Sequence, residues 1–105
     1  MKMNIKKWVV KDLPIGNESD LNKIESVLKH NNIRENDFII FSEGKTCLIE
    51  IKGNIRDYGQ ELIKSICILL LDEIKANRLL YSGDGEGLPI EFIRSGIKSI
   101  TGEGV

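Results

Sequence analysis

The sequence predicts an α+β domain, and three observations carry the prediction. Short β-branched, alternating stretches such as "KKWVVKDL" read as strands. Two stretches, "NESDLNKIESVLKHNN" and the run ending in "ELIKSICILLLDEIK", repeat apolar residues at helical spacing. Between them, "DFIIFSEGKTCLIEIKG" reads as two strands and a tight turn. At 105 residues the chain is one domain, 1–105, because so little apolar surface cannot build two cores.

The elements follow in order. Lys6 to Leu13 is a first strand, ended by Pro14 and Gly16. Asn17 and Ser19 are capping residues for a helix whose apolar positions are Leu21, Ile24, Val27 and Leu28. The hairpin comes next, with Gly44 free to take the positive φ of a tight turn. With a two- or four-residue turn within Ser42 to Lys45, Phe41 faces Thr46, Phe38 faces Ile49 and Asp37 faces Glu50; with a three-residue, bulged turn Asp37 no longer faces Glu50. A second helix runs from about Asp57 to Lys75. Its broad apolar face holds Leu62, Ile63, Ile66, Cys67, Leu69, Leu70 and Ile74.

"NRLLYS", Asn77 to Ser82, is a further strand and "GDGEG" a loop. "LPIEFIRSGIKSI" is predicted as a final helix, with Pro89 in its first turn, Gly96 inside it and Gly102 beyond it. The first six elements stand in βαββαβ order, the ferredoxin-like arrangement of an antiparallel sheet with helices on one face, followed by a C-terminal helix. The core is predicted to hold Val9, Leu21, Ile24, Leu28, Phe38, Ile40, Cys47, Ile49, Ile51, Leu62, Ile66, Leu69, Leu70, Leu80 and Phe92.

Composition narrows function. Fifteen basic and 16 acidic residues give a net charge of −1, which lacks the basic footprint of strong non-specific nucleic-acid binding. The longest apolar run, Ile66 to Leu71, is too short to span a bilayer. The N-terminus has no signal-peptide pattern, so the chain reads as cytoplasmic. Cys47 and Cys67 lie inside apolar runs and are expected as buried thiols. His30 has no Cys or His at metal-ligand spacing and fits a helix C-terminus. "SGDGEG" matches neither an EF-hand nor a phosphate loop. No Ser, Thr or Cys has a recognisable base partner.

In the hairpin, an Asp opens the first strand and Glu-Ile-Lys closes the second. Asp37 opposite Glu50 is a like-charge pair that a divalent cation would relieve. "DFIIF…LIEIKG" resembles the PD-(D/E)xK nuclease superfamily, and Gln60 in "YGQELIK" stands where many members carry a glutamine. The resemblance spans about Glu25 to Ser82 and implies Mg²⁺ bound by Asp37 and Glu50. It implies that Lys52 positions or activates the attacking water, and that Glu25 supplies another carboxylate. The substrate would be a nucleic-acid phosphodiester. Asn36 stands where the family often has proline, and "NNIREN" leaves no room for the family's additional core strand.

The leading expectation is therefore a non-enzymatic protein-binding domain without cofactor or catalytic residues. Its most concrete form is a bacterial immunity or antitoxin-type protein that covers a toxin's active surface. Asp84 and Glu86 in the acidic loop are the expected contacts. Ile68 and Leu71, on the helix side away from the main apolar face, join them: either the final helix packs over them or they contact another chain, and at least one is expected to be substantially buried. Metal-dependent nuclease activity, with nucleic acid as partner, is the alternative.

Overall fold

A computed structural model of the protein describes residues 5–54, 58–83, 89–94 and 98–100. The chain runs β1 (Ile5–Pro14), α1 (Glu18–His30), a 3₁₀ turn (Glu35–Asp37), β2 (Phe38–Glu43), β3 (Thr46–Asn54), α2 (Gln60–Ile74), β4 (Arg78–Gly83), β5 (Ile90–Ile93) and β6 (Lys98–Ile100). The strands form one antiparallel sheet in the order β2-β3-β1-β4-β5-β6. The α+β class and the antiparallel sheet with two helices stand. The full expected layout does not, since a 3₁₀ turn precedes β2 and strands replace the final helix.

One face of the sheet is buried. Trp8, Val10 and Leu13 of β1, Cys47, Ile49 and Ile51 of β3, Leu79 and Tyr81 of β4 and Phe92 of β5 point into it, and both helices pack there. Residues two apart share a face, so Val9 and Leu80, expected in the core, lie on the other side. In β1 the alternation is reset between Val10 and Leu13 by a bulge at which Asp12 takes φ 60. Aspartate tolerates the left-handed region better than most residues, and the extra residue returns Leu13 to the core.

The hairpin turn consists of Gly44 and Lys45 alone, closed by the pair Glu43 and Thr46. Gly44 has φ +64, the conformation of the first residue of a type II′ turn. This centre lies one residue later than expected, so Phe41 faces Leu48, Phe38 faces Ile51 and Ile39, not Asp37, faces Glu50. A slip of two residues along the partner leaves every face unchanged. Phe38, Ile40, Cys47, Ile49 and Ile51 therefore share the inner face as predicted.

In α1 the Asn17 side chain accepts from the Ser19 backbone N–H. The helix ends with Asn32 at φ 67. Ile33 N–H donates to the Leu28 carbonyl and Asn32 N–H to that of Lys29, the two bonds of a Schellman end. Ile33 and Leu28 are both buried, which completes the motif's apolar contact. His30 closes the helix, its Nδ1 2.8 Å from the Ser26 carbonyl.

In α2 the buried positions are Ile63, Ile66, Cys67, Leu70 and Leu71. The predicted face is rotated at its edges: Leu69 is 43 % exposed and Leu71 only 2 %. The burial of Cys47 and Cys67 raises their thiols to about 11 and about 12, so neither is a ready nucleophile.

The predicted helix from Leu88 onward is corrected to β5 and β6. Ile90 and Phe92 face inward, and Phe92 meets Tyr81 edge-on at 6.1 Å between ring centroids. "IEFI" alternates at period two and is rich in β-formers, so pairing with β4 outweighs a helical reading. Gly96 and Gly102 lie outside the described residues.

Candidate functional site

The nuclease-like residues are built on the outer face of the hairpin. Glu50 and Lys52, two residues apart on β3, point to the same side, and Ile39 opposite Glu50 shares it. With Asn36 and Asp37 they line one depression of about 80 Å³. The structure thus brings Asp37, Glu50 and Lys52 together, but around a hollow far smaller than the roughly 300 Å³ at which pockets begin to enclose small ligands. Gln60 opens α2 and Glu25 lies on α1, both on the helix-covered side of the sheet. The sheet therefore separates them from Glu50 and Lys52.

Both carboxylates have partners. Asp37 Oδ2 accepts from the Tyr58 hydroxyl at 2.5 Å and from Arg34 Nε at 3.0 Å. Glu50 Oε2 lies 3.7 Å from Lys7 Nζ, an ion pair across the strands. Among the described residues no three His, Cys, Asp or Glu side chains are grouped as a metal site.

Asp37 belongs to a clasp that the sequence did not reveal. Tyr58, just before α2, lies buried against Gly53, where an added Cβ would sit 2.2 Å from Tyr58 Cδ2. Its ring meets Trp8 edge-on at 6.4 Å, and the Arg34 guanidinium stands 5.5 Å from its centroid. Its hydroxyl also accepts from the Arg34 backbone N–H at 3.1 Å. The clasp ties the entry of β2 to the segment between β3 and α2. A tyrosine beside a helix start has no diagnostic spacing, so only its fold position marks it.

The clasp sets a pH dependence. The Tyr58 hydrogen bond, helped by Arg34, holds the Asp37 carboxyl below its ordinary 3.8 despite partial burial. A depressed folded value stabilises the fold above the ordinary value, and that stability is lost as pH falls below it. Burial, and then Asp37, push Tyr58 above its ordinary 10.0. That contribution is present below 10 and is lost as pH rises through the folded value. Tyr58→Phe is expected to cost about 1–2 kcal/mol at neutral pH and to flatten both limbs of a stability–pH curve measured by urea denaturation. Unchanged limbs would show that the hydroxyl bonds are not formed.

The other candidate is the sheet face that neither helix covers. Ile39 is 49 % and Phe41 48 % exposed, and Phe41 sits directly opposite half-buried Leu48. Glu50, Lys52 and Lys7 border this patch. The signal was present in "FIIF": in a strand, four consecutive apolar residues must send two to each face. Leu71 is buried in the core, as expected of at least one of the pair, and so is closed to a partner in this fold, while Ile68 is half-buried against the core. Asp84 and Glu86 lie outside the described residues. No described helix is long and apolar enough to cross a membrane. In comparisons with known proteins, no family model, curated protein or solved structure gives a significant match to this chain.

Proposed function

We propose that this chain is a small protein-binding domain, most concretely an immunity or antitoxin-type protein of a bacterial cytoplasm that neutralises a toxin by covering its active surface. The observation that carries the binding reading is the half-exposure of Ile39 and Phe41 on a sheet face that neither helix covers. An aromatic anchor beside apolar neighbours, with charges at the border, is the composition of a binding hot spot. The slight net negative charge suits a basic toxin cleft.

The test isolates the chain with its bound partner from native cells, then expresses that partner alone and together with the chain. The partner is expected to be toxic alone and harmless with the chain. Phe41→Arg is expected to abolish protection while changing stability by no more than about 0.5 kcal/mol. A partner that is harmless alone would overturn the toxin reading, and full protection by Phe41→Arg would overturn the assigned surface.

A divalent-metal nuclease is the second reading, supported by the depression that Asp37, Glu50 and Lys52 share. Mg²⁺-dependent cleavage of plasmid or single-stranded DNA, lost in Glu50→Ala and in Lys52→Ala, would reverse the order of the two readings.

A further inference from the structure

We infer that the free edge of β2 accepts an extended segment of a partner protein as an added strand, and that this segment alternates apolar with basic residues. The inference deepens the protein-binding reading and rests on it. β2 is the terminal strand of the sheet. Among the described residues no chain runs along its outer side, and an antiparallel ladder leaves every second residue of an edge strand with its N–H and C=O pointing away. Edge strands are commonly protected by lysine, proline or a bulge, and "FIIFSE" has none of these.

Beneath the edge, two hollows of about 340 and 300 Å³ share Leu21 and Ser42 and so form one groove between α1 and β2. Phe38, Ile40 and Leu21 give it an apolar floor. An added strand would place alternate side chains on that floor and the others beside Ile39 and Phe41, as in β-strand addition.

Charge selects the occupant. Glu18, Glu25 and Glu35 line the groove, Asp20 holds the Gly16 N–H at its end, and Asp37 precedes β2 and Glu43 ends it. Against these six carboxylates stand Lys29, bridging Glu25 and Glu35, Lys45, Arg34 on Asp37, and Lys52 beside Asp37. A second copy of this chain is disfavoured. It would bring the same acidic rim against its own, and in the register centred on Ile40, for example, each Asp37 position lies opposite a Glu43, where like charges destabilise a ladder. Lysine or arginine at alternate positions of a foreign segment meets the same rim favourably.

The test pans a library of random linear peptides against the full chain and measures the winners by fluorescence anisotropy. Enriched peptides are expected to alternate apolar residues with Lys or Arg. Their affinity is expected to fall at least ten-fold in Ile40→Lys and in the surface double variant Glu25→Lys/Glu35→Lys, which does not disturb the core. Winners that are acidic or lack alternation would overturn the inference. Winners weakened by Phe41→Arg but not by the double variant would also overturn it, while leaving protein binding by the outer face intact. No enrichment at all would count against both readings. Light scattering that shows a dimer, dissociated by Ile40→Lys, would assign the edge to a second copy instead.

Discussion

Replacing Ile66 by alanine is expected to lower the unfolding free energy by about 2–5 kcal/mol, the range for emptying a fully buried aliphatic site. Ile66 is fully buried at the middle of α2, within the core shared with Ile49, Val10 and Leu28. The transfer loss is compounded by a cavity that two helices fixed to a six-stranded sheet cannot collapse. Thermal midpoints should fall by about 4–8 °C for each kcal/mol lost in a chain of this size. The companion comparison is sharper. Leu71→Ala should fall in the same range and Leu69→Ala should cost less than about 1 kcal/mol, because Leu71 is buried and Leu69 is 43 % exposed. Urea midpoints in the opposite order would mean that α2 is rotated from the face described.

The second large effect is expected at Gly53. An alanine Cβ there would lie 2.2 and 2.3 Å from two ring carbons of Tyr58, distances that non-bonded carbons do not adopt. The ring cannot swing aside cheaply, since it is buried, rests against Trp8 and anchors Asp37 and the Arg34 backbone through its hydroxyl. Overpacking costs about 1–3 kcal/mol, and each hydroxyl bond lost adds about 1 kcal/mol. Gly53→Ala is therefore expected to destabilise by about 2–4 kcal/mol, even though alanine is favoured over glycine within a strand by about 0.5–1 kcal/mol. The Asp37 carboxyl, followed by NMR titration, should rise toward its ordinary 3.8. A neutral or stabilising substitution would place Tyr58 elsewhere.

The helices and the inner face of the hairpin were legible because their periodicities are local. The Asn17 cap, the one-turn spacing of Ile24 and Leu28, and the parity of Phe38, Ile40, Ile49 and Ile51 need no knowledge of the rest of the fold. The sequence was less informative wherever a tertiary neighbour decides. "IEFI" reads as a helix start after proline until β4 offers it a partner, and Leu71 looks stranded on a helical wheel until the fold closes over it. The turn was misplaced by one residue because glycine serves either central position of a tight turn. That single shift put Ile39 in place of Asp37 opposite Glu50. The candidate site was half legible: Asp37, Glu50 and Lys52 do share a depression, but Tyr58 and Arg34, which engage Asp37, carried no spacing that announced them.

The sheet face at Ile39 and Phe41, which neither helix covers, is proposed to contact another protein. This contact is tested most directly by placing a photo-crosslinking amino acid at position 41 in native cells, with position 23 on exposed α1 as the reference. A discrete cross-linked species is expected from position 41 and absent from position 23. Cross-linking from position 23 alone, or from neither position, would contradict it.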